Sequence, residues 1–158
     1  MVAIRPAVAA DYELICQLFS LLDSFHARLL PHIFQETDCH VRPYHYIAGL
    51  IEQPDAILFL AEAGDTAVGL IHVSIDEAAD LPFFRSRRYA VVHHVIVQKE
   101  WRGQGIGQRL MAQAHEWAVD RGATSVELSV WTANQEAMTF YEELGYAPVL
   151  VRLVRPLP

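Results

Sequence analysis

Apolar positions along the chain change their spacing several times, and each change predicts an element. Val2 to Arg5 reads as a short strand ended by Pro6. Asp11 suits the N-cap of a helix in which Leu14, Ile15, Leu18, Leu22, Phe25 and Leu29 recur at helical spacing, with Pro31 at its end. The stretch 32–42 has no clear period. Pro43 then opens a shorter helix through Tyr46, Ile47, Leu50 and Ile51. After the Pro54-Asp55 turn, Ala56 to Ala63 is almost continuously apolar, as expected of a central strand covered on both faces. Gly64-Asp65 turns into a strand from Ala67 to about Ile75. A polar and aromatic connection leads to the β-branched run from Val91 to Val97, another strand.

The second half repeats the alternation of strand and helix. Gln98 to Trp101 is a short polar connection, followed by glycine at every second position: Gly103, Gly105 and Gly107. These run into a helix with Ile106, Leu110, Ala114, Trp117 and Ala118 on one face and Gln113, Glu116 and Asp120 on the other, closed by Gly122. Val126, Leu128 and Val130 alternate as a strand. Asn134 caps a last helix carrying Ala137, Phe140, Tyr141 and Leu144, which stops at Gly145. Val149 to Val154 predicts a final strand that closes the sheet. No repeat, low-complexity tract or linker interrupts this order. Residues 1–158 therefore read as one α/β domain.

Composition narrows the partners. With 53% hydrophobic and 20% charged residues, the chain can bury a sizeable core. No apolar run reaches the roughly 20 residues that span a bilayer. The first residues lack the basic head and apolar centre of a signal peptide. Two cysteines, Cys16 and Cys39, make no disulfide framework, so a reducing cytoplasm is the expected setting. A net charge of −7 argues against nucleic acid, which is bound through Lys and Arg, and nothing suggests a membrane partner. The eight histidines follow no zinc spacing, so no metal is expected, and the adjacent Cys39 and His40 make no dyad by sequence alone. Arg85, Arg87 and Arg88 read first as a solvated loop face.

The chemistry concentrates between His93 and Leu110. Strand, glycine turn and helix start together present bare backbone N–H groups to an anion, and the helix dipole adds positive potential there. Glycine has no Cβ, so a phosphate can come close to the main chain. The stretch reads as a phosphate cradle. It is not the ATP-type loop G-x-x-x-x-G-K-[ST], which is absent. Nor is it the dinucleotide fingerprint G-x-G-x-x-G, whose third glycine would fall on Gln108 or Leu110.

Arg102-Gly103-Gln104-Gly105-Ile106-Gly107 resembles R-x-x-G-x-G, the signature of the GCN5-related N-acetyltransferases (GNAT superfamily). The segment from Asn134 to Tyr146 resembles that family's second hallmark, N-x-x-A-x-x-F-Y-x-x-x-G-[FY]. The order of elements agrees as well, and the resemblance covers most of the chain. It implies a mixed, mostly antiparallel sheet of six to seven strands flanked by about four helices. In that fold the fourth and fifth strands are parallel and splay apart around acetyl-CoA. By resemblance the cofactor contacts are Val95, Ile96 and Val97 on the fourth strand, Arg102, Gly103, Gln104, Gly105, Ile106, Gly107 and Gln108 at the cradle, and Asn134 and Phe140 on the fifth-strand side.

The activity implied is transfer of an acetyl group from acetyl-CoA to a primary amine in a ternary complex. The amine must be neutral to attack, and alkylammonium groups titrate near ~10, so a base is needed. His93 is the candidate, on the face expected for Val95, with an ordinary pKa near 6.5. His94, expected on the opposite face, and a water relay are the alternatives. Tyr141 matches the family tyrosine that returns a proton to the leaving thiolate. His26, Phe34, Phe83 and Phe84 are expected around the acceptor, a small-molecule or protein amine. The resemblance adds a homodimer. A non-catalytic acyl-CoA sensor on the same fold is the rival reading.

Overall fold

The computed structural model describes residues 1–38 and 41–157, so Cys39 and His40 lie outside the described residues. One sheet carries the strands β1 (Val2–Pro6), β2 (Ala56–Ala63), β3 (Thr66–Glu77), β4 (Arg88–Val97) and β5 (Val126–Leu128), in that spatial order. The first four are antiparallel to their neighbours, and β5 is parallel to β4. The helices are α1 (Tyr12–Leu29), α2 (Tyr44–Glu52), α3 (Ile106–Asp120) and α4 (Gln135–Glu143).

The continuous apolar run of β2 has a direct cause: both faces are covered. Phe59 and Ala61 join a core with Ile71, Val73, Leu110, Met111 and Trp117 under α3. Leu58 and Leu60 join a second core with Ile15, Leu18, Phe19 and Ile47 under α1 and α2. The sheet is thus the middle layer of three. It carries the expected mixed architecture, with five strands among the described residues instead of six to seven.

The strand that fails to form is the C-terminal one. Residues 149–154 enter no ladder, and Val149, Leu150, Leu153 and Val154 are each at least 85% exposed. Its aliphatic and β-branched residues mark a segment able to pair, but pairing needs a strand edge alongside, and among the described residues it pairs with none. The fifth strand is also shorter than expected, ending at Leu128 rather than Val130.

Asp11 does not cap α1 with its side chain. Its carboxylate instead accepts bonds from the Arg5 guanidinium at 2.7 and 2.8 Å and from the Val8 N–H at 2.8 Å. A fork of charged donors outcompetes one neutral backbone donor. Arg5 also donates to Glu62 at 2.9 and 2.6 Å, so one side chain ties β1, β2 and the entry to α1.

Candidate functional site

The two halves of the site meet where β4 leaves β5. These strands pair only at Ala90–Val126, Val91–Glu127 and Val92–Leu128. The β3–β4 register slips at the same place: Val73 opposes Val92 and His72 opposes His94, leaving His93 without a partner of its own. That is a β-bulge, and it reverses which side of β4 each backbone group faces. Before it, Ala90 N–H donates to Ser125 O at 2.9 Å and Arg88 O accepts from Thr124 N–H at 2.9 Å, so even-numbered residues face β5. After it, Gln98 N–H donates to Val68 O at 2.9 Å, so even-numbered residues face β3. By strand alternation, the N–H and C=O of Val95 and Val97 point into the gap. Val97 O there accepts from Arg102 Nε at 3.1 Å, and Ile96 turns its side chain into the core under α1.

The bulge also corrects the expected placement of the histidines. Val95 and Val97 pack on the α3 side. His94 lies edge-on to Phe19 of α1, with ring centroids 5.0 Å apart. His93 stacks on His72 at 4.7 Å, and its Nε2 lies 2.8 Å from Ser74 Oγ. His93 and His94 therefore both turn to the α1 side, and His93 does not share a face with Val95. A strand without the extra residue would have separated them.

Burial orders the three rings by basicity. His72, 5% exposed, has no hydrogen-bond partner at either ring nitrogen, and its pKa is pushed down to about 3 by burial and then by its two histidine neighbours. Burial, then the nearby His93 and Arg42, pushes His94 down to about 4. His93 remains exposed at its outer edge. Partial burial of its ring lowers its pKa from 6.5, and Asp76 opposes the shift. His93 is thus neutral at pH 7 and is the member of the cluster best able to accept a proton.

At the far side of the gap, α3 begins in the glycine turn. Gly103 (φ +72°) and Gly105 (φ +77°) take left-handed backbone angles that other residues adopt only at a cost. A Cβ at Gly103 would meet nothing within 4 Å, so the main chain there is open to approach. The first intrahelical bond runs from Arg109 N–H to Gly105 O at 3.0 Å. The N–H groups of Ile106, Gly107 and Gln108 precede it and have no helical acceptor. Gln104 bonds back to Glu100 O at 3.2 Å, and Arg102 also reaches Glu136 of α4 at 3.4 Å. Phe140 lies over Gly107, whose Cβ, if present, would stand 3.2 Å from Phe140 Cζ.

The hallmark on α4 folds as expected. Asn134 Oδ1 accepts from Ala137 N–H at 3.1 Å as the N-cap, which leaves its amide NH2 to donate. Tyr141 packs on the α3-side core, and burial raises its pKa above 10. Tyr146 donates to or accepts from His115 Nε2 at 2.7 Å.

An aromatic cluster closes the α1 side. His26 stacks on Phe34 at 5.0 Å, and Phe34 meets Trp131 edge-on at 5.6 Å. This joins α1, the loop after it and the segment beyond β5. Trp131, His72 and Ser74 were missed in the sequence. Trp131 follows the last alternating position, and only the bulge brings His72 and Ser74 to His93. Phe83 and Phe84 lie tilted against each other with ring centroids 5.2 Å apart, exposed in the β3–β4 loop; that loop leaves from the Glu77–Arg88 end of the hairpin, not the splayed end. Arg87 pairs with Glu127, and Arg88 with Glu77 at 2.6 Å, so both are held by carboxylates of the chain. Among the described residues no three His, Cys, Asp or Glu side chains converge as a metal ion would need. No helix among them is long and apolar enough to cross a membrane.

Comparison with known proteins bears on the family and the fold. The family described as "Acetyltransferase (GNAT) family" matches residues 18–146. An uncharacterized N-acetyltransferase of Methanocaldococcus jannaschii is 31% identical over 101 residues, 64% of this chain and 43% of the relative. One of Archaeoglobus fulgidus is 30% identical over 97 residues, 61% of this chain and 64% of the relative. The chain thus spans about half the length of these curated relatives. A Bos taurus thialysine N-epsilon-acetyltransferase is 36% identical over 58 residues, 37% of this chain and 34% of the relative. Among solved structures, a Bacillus halodurans protein crystallised in mutant form superposes with a TM-score of 0.92 at 19% identity, over 99% of both chains.

Proposed function

The chain belongs to the acetyltransferase (GNAT) family, and we propose that it moves the acetyl group of acetyl-CoA to a primary amine, with both substrates bound together. The observation that carries this reading is the parting of β4 and β5 at His93, next to the glycine-led start of α3. One opening there offers an extended backbone edge, unbonded helix N–H groups and a neutral imidazole.

Acetyl-CoA supplies a thioester carbonyl open to attack, with a thiolate as leaving group. The free N–H groups at the start of α3, from Ile106 to Gln108, and the open main chain at Gly103 suit its pyrophosphate, with Arg102 and Gln104 at the rim. The outward groups of Val95 and Val97 suit its pantetheine arm as an added strand would. The spare amide protons of Asn134 and the ring of Phe140 complete the α4 side.

His93 takes the proton of the attacking amine, directly or through water, and Ser74 holds its ring. The N–H of Val95 faces the charge that develops on the carbonyl oxygen. Tyr141, kept protonated by burial, gives its proton to the thiolate. The acceptor enters past His26, Phe34 and Trp131. Relatives named thialysine N-epsilon-acetyltransferase and, at 40% identity over 50 residues, N-alpha-acetyltransferase support an amine as acceptor. The cytoplasm is the setting we assign.

Release of free CoA thiol across a panel of primary amines tests the reaction. Turnover with at least one amine is expected. A protein that binds acetyl-CoA yet releases no thiol with any of them would be a sensor instead.

A further inference from the structure

We propose that His72 is a positioning residue for His93: its ring face holds the His93 imidazole in place and supports the positive charge when that imidazole takes up a proton. The two rings stack with centroids 4.7 Å apart and planes at 28°. A cation within about 6 Å of a flat aromatic ring is drawn to its π face. The other neighbouring ring, His94, stands farther off at 6.5 Å and is tilted by 46°. The proposal rests on His93 being the base of the reaction proposed above.

His72 stands in the middle of the sheet, opposite Leu58 on β2 and His94 on β4. It is buried, as are Leu58 across from it and Leu70 two residues along its own strand. Neither of its ring nitrogens meets a partner in the chain, and neither touches solvent. Burying an unpaired polar atom lowers stability, so a leucine of similar size would hold this place at less cost. Packing alone therefore does not account for the residue. What a leucine lacks is a flat face, and imidazole is the smallest aromatic side chain that offers one.

The charges around His93 leave this task to the ring. From β3, Ser74 Oγ lies 2.8 Å from His93 Nε2, and Asp76 favours the charged imidazole through space. Asp76 is exposed, so water and salt screen it. From β4, His94 stands alongside. Arg42, and Asp23 and His26 of α1, act on His94, but Asp23 is already bound to Arg42 at 2.8 Å. Neither carboxylate closely neutralises a protonated His93. His72 does not compete for the proton, because burial, then its two histidine neighbours, hold its pKa at about 3. A neutral face supports the charge without a counter-ion, so His93 can also release the proton it accepts.

Proton NMR of the wild type should show the His72 Cε1 resonance moving with the midpoint of His93 and with no midpoint of its own above about pH 5. His72→Leu keeps the volume and removes the face. It should move the His93 midpoint and the acid limb of kcat/KM down by about one pH unit, and lower kcat roughly tenfold, while the urea midpoint does not fall. His72→Phe restores a face and should bring the His93 midpoint back towards the wild-type value. A midpoint that neither substitution moves would make His72 a filler of space, and equal shifts in both would assign the effect to polarity; either overturns the proposal. So does a wild-type His72 resonance indifferent to His93, a readout that needs no substitution. If no amine turns over, the NMR midpoints still decide the stacking claim, and only the role of His93 as base is lost.

Discussion

His93 Nε2 and Ser74 Oγ lie 2.8 Å apart across the β3–β4 ladder, at the residue where that ladder slips. The contact exists because the bulge turns His93 to the α1 side of the sheet. It leaves the imidazole partly exposed and neutral at pH 7, at the mouth where β4 and β5 part.

A neutral base works only above its pKa. Partial burial lowers the His93 pKa from 6.5, so the acid limb of kcat/KM should fall at a pH below 6.5, with a plateau through neutrality. His93→Ala should remove that limb and reduce kcat by roughly a hundredfold or more. A pH–rate profile of both proteins checks this, and an unchanged acid limb in the variant would assign the base elsewhere.

In the proposed reaction Tyr141 can serve the thiolate only while protonated. Burial raises its pKa above 10, so the alkaline limb should lie above pH 10. Tyr141→Phe should lower kcat by about a hundredfold while acetyl-CoA binding stays intact, because the ring still packs and only the hydroxyl is lost. Steady-state kinetics beside a binding titration separates the two effects.

Gly69 holds β3 close to β4. A Cβ there would stand 2.9 Å from Ile96 O and 3.1 Å from Leu110 Cδ1. The first is backbone and cannot swing away. Gly69→Ala should cost about 1–3 kcal/mol in urea unfolding. It should also weaken acetyl-CoA binding, since the displaced strand is the one whose Val95 and Val97 groups face the gap.

Arg5 holds Asp11 in its charged form, and the Asp11 carboxyl consequently sits below its usual 3.8. A lowered folded pKa gives stability that is present above the unfolded value and lost as pH falls through the folded one. Arg5→Ala should therefore destabilise the protein by about 2 kcal/mol at pH 7. That is less than the roughly 3–5 kcal/mol of a fully buried pair, because Arg5 is partly exposed. The gap between the two proteins should narrow below about pH 4. Denaturant curves at pH 7 and pH 3 measure it.

Much of this was legible in the chain itself. The two-sided burial of β2, the apolar face of α3 and the Asn134 cap follow from periodicity and capping chemistry, and the glycine turn from the need for left-handed angles. What could not be read is also specific. The bulge inserts one residue into β4 and leaves no mark in composition, so the face of His93 was reversed by a single register step while His94 kept the side opposite Val95. Arg5 is six residues from Asp11, and only the approach of β1 to α1 makes it the stronger partner. The strand-forming composition of 149–154 is plain in the sequence, but composition reports that a segment can pair and says nothing of where its edge lies. Trp131 sits in irregular chain, where no period exists to place it.

Calorimetric titration of acetyl-CoA into the wild type and Gly105→Val tests the central claim. Gly105 holds φ +77°, and a valine there both strains the turn and covers the bare backbone. Saturable binding by the wild type, lost in a Gly105→Val protein whose circular dichroism is unchanged, is the predicted result. A wild type that does not bind acetyl-CoA would contradict the account, and the glycine turn would then be no more than a connection between β4 and α3.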